Sequence, residues 1–506
     1  MKPYLLAPTL LVFLLTIYGC VIPAPGSRPW LLDQSTELST QEIPIALQDV
    51  FPTPRNSGSP YFTPTPDDPH FLPDLRSEAE MYLVQSGDTL DLIASRYHLS
   101  VDSLIMANPG INANWLEIGQ TLHIPFPRPS AAPSDFKIIP DSELVYGPVS
   151  STLDIAAFIS QQNGYLQNYT ESVGDQSLSG AQIILRVAYE YSVNPRLLLS
   201  FLEFQSGWVS RSNPDANFQN YPIAFIDENR QGLYKQLAWT ADSLNSAYYL
   251  WKTNRLSYAI LEDGNLVLLS PTINAGTAAV QYTLARLSTV EEYSGAVSAN
   301  GLFSVYQNYF GTPFDLAIEG LLPANLTQPE LILPFEKGST WSFTGGPHGG
   351  WGVGSAWAAI DFAPPGESFG CFSSNAWVRA SADGLIVRAK DGAVVQDLDG
   401  DGLEQTGWTL LYMHVESRDR VSAGSYLKAG DPIGHPSCEG GVSNGTHLHF
   451  ARRYNGEWIP ADGNLPFNLN GWQSVGNGIE YDGTLTLNGQ IVTAWDGRIA
   501  ENQIQH

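Results

Sequence analysis

Basic side chains are scarce in this chain of 506 residues, with 25 Lys and Arg against 51 Asp and Glu. The resulting net charge of −26 excludes nucleic acid as a partner, because phosphate binding needs clustered Lys and Arg. Cysteine is scarcer still, limited to Cys20, Cys371 and Cys438. The apolar run Leu5 to Ile17 is too short to cross a bilayer comfortably, which argues against a permanent helical anchor there. What is present is globular: 43% hydrophobic and 15% charged residues are not a disordered composition. The length exceeds one ordinary core, so two to four domains are expected.

Residues 1–20 read as a signal peptide, opening Met1-Lys2 and ending Ile17-Tyr18-Gly19-Cys20. That ending resembles the bacterial lipoprotein box, in which the Cys is acylated. The resemblance implies a surface-held, extracytoplasmic protein with a lipid on Cys20; cleavage as a plain secretory signal is the other reading. If Cys20 carries lipid, Cys371 and Cys438 remain as a candidate disulfide in an oxidising compartment, or as two buried thiols. Residues 21–80 are rich in Pro, Ser, Thr and Gly, with pieces such as Thr63-Pro64-Thr65-Pro66, and read as a stalk.

The fold class expected is multidomain α+β. Residues 81–126 read as a βααβ unit. The first strand runs into the turn Ser86-Gly87-Asp88-Thr89, Asp88 or Thr89 caps a helix, a second helix stops at Asn108-Pro109-Gly110, and a strand closes the unit. The Gly-Asp-Thr-Leu turn, Asn108 and the ending Gly119-Gln120-Thr121-Leu122-His123-Ile124-Pro125 resemble a LysM domain. The resemblance implies a groove for N-acetylglucosamine-containing glycans, meaning peptidoglycan or chitin. His98 and His123 read as structural.

A Pro-rich linker is expected over 127–149, and a mostly α-helical domain over 150–325. Ser179-Gly180-Ala181-Gln182 offers a capping box, and Asn194-Pro195 opens a helix. The region is similar to the helical domain of lytic transglycosylases, in which a catalytic Glu precedes a Ser. Here Gln205-Ser206 stands at that place, and an amide cannot donate the proton. Glu203 lies about 200° away around the helix. The domain is therefore expected to hold glycan without cutting it; a glycosidase using Glu203 and an unrelated spacer remain as alternatives.

Residues 331–500 alternate in the manner of an antiparallel β domain. Gly346-Pro347-His348-Gly349, Ile360-Asp361-Phe362, Tyr412-Met413-His414 and His447-Leu448-His449 carry the chemistry. On a strand, residues two apart share a face, so His447 and His449 project together, about 7 Å apart, while Leu448 and Phe450 point into packing. Leu410, Tyr412 and His414 are likewise expected to share a face. A tetrahedral catalytic zinc takes three protein ligands and leaves one position open, and His348, Asp361 and His449 supply N, O and N.

At these residues the domain resembles the lysostaphin-type (LytM-like) zinc endopeptidases, and more closely their beta-lytic branch. The resemblance implies His348, Asp361 and His449 as Zn ligands, His414 and His447 as the catalytic pair, and a peptide bond of peptidoglycan as substrate. The thirteen positions from His348 to Asp361 suit the longer Gly and aromatic insert of that branch. His435 has no partner in the motif and reads as structural. A loop at Asp397, Asp399 and Asp401, before Gly402, resembles a calcium loop; its twelfth position is Trp408, so Glu404 is the nearest further ligand for Ca, and a solvated acidic hairpin is the plain alternative. The function expected is a zinc endopeptidase acting on peptidoglycan and targeted by LysM. A non-catalytic envelope protein that binds the wall and a glycosidase working from the helical domain stand beside it.

Overall fold

The computed structural model describes residues 69–506 apart from 113, 114, 319, 367 and 368. The signal segment, Cys20 and most of the stalk lie outside the described residues. Among those described, no helix is long and apolar enough to cross a membrane.

The first unit is β1 (Glu80–Leu83), α1 (Leu90–Arg96), α2 (Val101–Ala107) and β2 (Thr121–Ile124), with the two strands antiparallel. Thr89 is the cap, its hydroxyl accepting from the Leu92 N–H. Asp88 instead accepts from the Gln85 N–H and the Tyr82 hydroxyl, each at 2.7 Å, which fixes the turn. Asn108 ends α2 and ties it to β2: its amide donates to the Leu104 and His123 carbonyls and accepts from the His123 N–H. Val84, Leu90, Ile93, Leu104, Leu122 and Ile124 make the small core.

The middle region contains α3 (Ile155–Gln162), α4 (Gly180–Tyr191), α5 (Pro195–Ser206), α6 (Leu233–Lys252), α7 (Ala275–Ala285) and α8 (Leu302–Phe310). Ser179 and Gln182 form the capping box of α4, and Asn194 caps α5 ahead of Pro195. Helix α7 is buried on nearly every side, which its Ala-, Gly- and Thr-rich sequence permits by letting neighbours approach closely. The expected linker departs from expectation at its C-terminal half. Ile138, Ile139, Leu144, Val145 and Tyr146 are buried in the helical core, because these apolar side chains outweigh the local prolines. Two short hairpins, Thr170–Val173 with Gln176–Ser179 and Tyr258–Ile260 with Leu266–Leu268, interrupt the helices.

The C-terminal region is antiparallel. Its main strands are β3 (Thr340–His348), β4 (Ala359–Ala363), β5 (Gly384–Lys390), β6 (Ala393–Asp397), β7 (Trp408–Met413), β8 (Leu448–Tyr454) and β9 (Glu457–Trp458). A side sheet holds β10 (Trp472–Gly476), β11 (Gly483–Leu487) and β12 (Gln490–Thr493), and β13 (Gln503–Gln505) ends the order. The nine-stranded sheet runs Tyr426–Leu427, β5, β6, β7, β8, β4, β3, β13, with β9 against β8. The domain thus extends past residue 500, because β13 pairs with the start of β3.

One face of this sheet buries Phe343, Ile360, Phe362, Leu410, Tyr412, Leu448 and Phe450. The other buries Ala359, Val395, Leu411, Met413, Ala451 and Trp458, with Tyr249 of α6 packed against them. The helical region therefore sits on the second face. Polar contacts join the two: Ser192 donates to the Gly456 carbonyl at 2.6 Å, Trp458 Nε1 to the Tyr191 carbonyl at 3.3 Å, and Lys252 pairs with Glu457.

Candidate metal centre

Strand period decides which side chains can meet. Ile360 and Phe362 on β4, and Leu448 and Phe450 on β8, face the core, so Asp361 and His449 face the other way. These two are direct cross-strand partners. His348 ends β3, whose register against β4 shifts twice before it reaches Ala359; that shift brings its ring to Asp361. His348 Nε2 and His449 Nδ1 are 3.0 Å apart. Asp361 Oδ1 lies 3.2 Å from the former and 3.3 Å from the latter.

The outer hydrogen bonds show what those three atoms are. His348 Nδ1 donates to the Gly346 carbonyl at 2.7 Å, and His449 Nε2 to the Gly350 carbonyl at 3.0 Å. Each ring thus holds its proton on the far nitrogen and turns a lone pair inward, the arrangement of metal-ligating imidazoles. Asp361 Oδ1 is buried with no hydrogen-bond partner. Three acceptors facing one point repel one another unless a cation or a proton lies between them. A tetrahedral ion with ligands at about 2.0–2.1 Å sets them about 3.3 Å apart, so the donor set and its spacing fit zinc.

The electrostatics follow from this crowding. Burial alone would raise the Asp361 carboxyl, but the facing His348 and His447 imidazoles hold it well below the usual carboxylate range. Burial works to lower His348, and Asp361 outweighs it and raises the imidazole. A proton on His348 can therefore sit among these acceptors, in the place a bound ion would take.

His447 and His414 complete the group, with ring centroids 4.5 Å apart. His447 Nδ1 donates to the Gly445 carbonyl at 2.8 Å, and His414 Nδ1 to the Glu439 carbonyl at 3.0 Å. Both leave Nε2 as the free base, and that of His447 lies 3.8 Å from Asp361 Oδ2. Burial, with the neighbouring His447 and His449 rings, pushes His414 down to about 3, so it is neutral at neutral pH. One sequence expectation needs correction. His414 does not continue the alternation of Leu410 and Tyr412, whose side chains fill the core. The strand ends at Met413, and His414 takes a left-handed φ of 65°. That turn redirects the ring to the metal face, a strained conformation of the kind held at functional sites.

Cys371 and Cys438 form a disulfide with Cα atoms 5.8 Å apart. It joins the loop before His447 to the segment whose Gly370 carbonyl accepts from the Thr446 N–H at 3.0 Å. Ser443 Oγ is 3.3 Å from His447 Nδ1. Tyr481, from the β10–β11 turn, has no motif to announce it. Its ring stacks on His348 at 4.2 Å, and its carbonyl accepts from the Gly346 N–H at 2.7 Å.

Three other candidates lie apart from this cluster. Asp397, Asp399 and Asp401 do bring one oxygen each within 4.8 Å, but Glu404 is not available to them. Both its oxygens are held by buried guanidinium groups, Arg388 at 2.6 Å and Arg453 at 2.7 Å, because a buried carboxylate pairs with the nearest cations. Asp397 oxygens accept from the Asp399, Gly400 and Gly402 N–H groups, and burial beside Asp399 pushes its carboxyl up to about 7. Glu203 closes the end of α5, accepting from the Val209 and Ser210 N–H groups and the Ser210 hydroxyl. Ser206 donates to the Leu202 carbonyl within α5. His435 donates to the Ala376 carbonyl at 2.8 Å and faces Asp419.

Comparison with known proteins finds three matches along the chain. Residues 82–125 match the LysM domain, residues 137–325 the LasA N-terminal domain, and residues 363–460 Peptidase family M23. The last match includes His414, His447 and His449 and begins just after Asp361. Protease LasA of Pseudomonas aeruginosa is 26% identical over 351 residues, which are 64% of this chain and 75% of LasA. Beta-lytic metalloendopeptidase of Achromobacter lyticus is 28% identical over 173 residues, 32% of this chain and 43% of that protein. Among solved structures, the deep-sea M23 metalloprotease pseudoalterin is 25% identical, with a TM-score of 0.27, covering 34% of this chain and 97% of its own.

Proposed function

We propose that this chain, which carries a LysM domain and a peptidase domain of family M23, is a zinc endopeptidase that cuts peptide bonds in bacterial peptidoglycan. One observation carries the reading: two imidazole lone pairs and an unpartnered, buried carboxylate oxygen meet within 3.0–3.3 Å. His348, Asp361 and His449 would hold the ion. When bound, zinc polarises a carbonyl and brings the acidity of water toward neutrality.

The remaining work falls to side chains of the chain. His447 is half-buried, and its free Nε2 accepts the proton of the attacking water. The backbone bond to Gly445 fixes the ring so that this nitrogen cannot turn away. His447 then returns that proton to the leaving amine, while His414, neutral and held by the Glu439 carbonyl, turns its free Nε2 to accept a hydrogen bond from the water. Val353, Phe369, Val442 and Ile479 are exposed on the loops that surround the cluster, which supports an extended peptide as the occupant. The LysM unit supports delivery to glycan strands, and we infer an envelope location with Cys20 as a lipid anchor. The acidic tip at Asp397, Asp399 and Asp401 is a second, independent candidate site, for calcium.

The test is digestion of purified wall by the zinc-loaded chain and by His447→Ala. Released peptides that disappear in the variant, with one zinc retained per chain, support the enzyme. No peptide release by the wild type supports the wall-binding alternative. Reducing ends that survive His449→Ala and vanish with Glu203→Ala would support a glycosidase.

A further inference from the structure

We propose that Asp242, on α6 of the helical region, is a positioning residue for the metal centre, acting through the glycine loop between β3 and β4; this rests on the zinc reading above. The loop, residues 349–358, supplies the Gly350 carbonyl that fixes the third ligand, His449. Little within the loop could hold that carbonyl in place. Its internal bonds, Gly350 N–H to the Ala356 carbonyl at 3.0 Å, Ala358 N–H to the same carbonyl at 2.7 Å and Trp351 N–H to Ser355 Oγ at 2.9 Å, do not engage the Gly350 carbonyl itself.

The helical region holds the loop from outside. Asp242 Oδ1 accepts from the Gly354 N–H at 2.9 Å. The fit is close enough to require glycine. A Cβ at Gly354 would lie 2.0 Å from the Asp242 carbonyl oxygen, and one at Gly352, whose φ is +68°, would lie 2.5 Å from Asp242 Oδ1. A Cβ at Gly350 would lie 2.6 Å from the Trp458 ring, whose Nε1 donates to the Tyr191 carbonyl while the Trp458 backbone N–H donates to the Tyr249 hydroxyl. Three glycines in five positions thus answer to α4, α6 and β9, and the loop has its shape because the helices are there.

The same region braces the other side. Gln176 donates to Asp391 Oδ1 at 2.9 Å, and Arg186 lies 3.9 Å from the same carboxylate. A Cβ on Gly440 would lie 2.2 Å from the Asp391 carbonyl oxygen. Asp391 therefore backs the Glu439–Gly440 segment, whose Glu439 carbonyl orients His414. One ligand and one catalytic imidazole are set through helical-region contacts, so the helices form an outer layer of the working site.

The experiment uses the full chain loaded with cobalt(II) in place of zinc. Wild type, Asp242→Ala and Asp242→Asn are compared by visible absorption and by the rate of ion release to a chelator. Outer partners of metal-ligating imidazoles affect metal affinity by about 10–100-fold. Asp242→Ala is expected to release the ion at least tenfold faster with an altered spectrum. Asp242→Asn, which keeps an oxygen for Gly354, is expected to stay within about twofold of wild type. If Asp242→Ala does not fold, Gly354→Ala is measured instead, since its Cβ would meet the α6 backbone at Asp242 and displace the loop, and the same loosening is expected. Spectra and release rates unchanged in the alanine variants would overturn the role of Asp242. A wild type that binds no cobalt would instead sink the metal site itself.

Discussion

Replacing Asp361 by asparagine should reverse the order of stability depending on whether metal is present. In the metal-free chain Asp361 Oδ1 is buried without a hydrogen bond and faces two imidazole lone pairs. Leaving buried acceptors unmatched costs about 1–3 kcal/mol. The side-chain amide introduced by Asp361→Asn can donate an N–H to one of those nitrogens and recover that amount. In the loaded chain the opposite holds, because the variant lacks the anionic ligand. Metal at about a thousand times its dissociation constant stabilises the wild type by about 4.1 kcal/mol.

The pH of the comparison follows from the sign of the His348 shift. Asp361 raises the His348 imidazole, so the stability of that pair is fully present below the unfolded imidazole value. It is lost as pH rises through the folded one. The comparison is therefore made on the alkaline side of that loss, above the ordinary imidazole range, where the substitute proton leaves and the acceptors stand alone. Urea unfolding at that pH, followed by tryptophan fluorescence, should place Asp361→Asn about 1–3 kcal/mol above wild type in chelator. With zinc, wild type should lead. Finding the variant less stable in chelator would refute the picture of three converging acceptors.

Glu404→Gln should cost about 3–5 kcal/mol, because it leaves the Arg388 and Arg453 guanidinium groups buried with no counter-charge; urea midpoints read this. Cys371→Ser with Cys438→Ser should cost about 2–4 kcal/mol and reduce turnover more than zinc content, since the disulfide braces the segments around Glu439 and Thr446. Glu203→Ala should lower stability by about 1–3 kcal/mol through the unpaired Val209 and Ser210 N–H groups. It should leave peptide release from wall unchanged.

Part of the cluster is legible in the sequence because Asp361, His447 and His449 sit in short local patterns whose strand period sets their faces; His348 comes from the resemblance, since the register shifts of β3 that bring its ring to Asp361 leave no mark on strand period. The Ser179–Gln182 capping box and the stop of α2 at Asn108 are legible for the same local reason. What stays hidden depends on distant segments. His414 leaves its strand by a single left-handed residue, which alternation cannot express. Tyr481 reaches His348 from a separate sheet. Glu404 reads as a cation ligand beside three aspartates, yet Arg388 and Arg453, from β5 and β8, claim it in the fold. The stretch of twelve residues between His348 and Asp361 reads as a plain insertion in sequence; in the fold its glycines accommodate Asp242, Tyr191 and Trp458.

Mass spectrometry of fragments from purified peptidoglycan, digested by the zinc-loaded chain, bears most directly on the central claim. Peptides with new amino and carboxyl termini, on glycan strands of unchanged length, are the predicted products. Shortened glycan strands carrying intact peptides would contradict it.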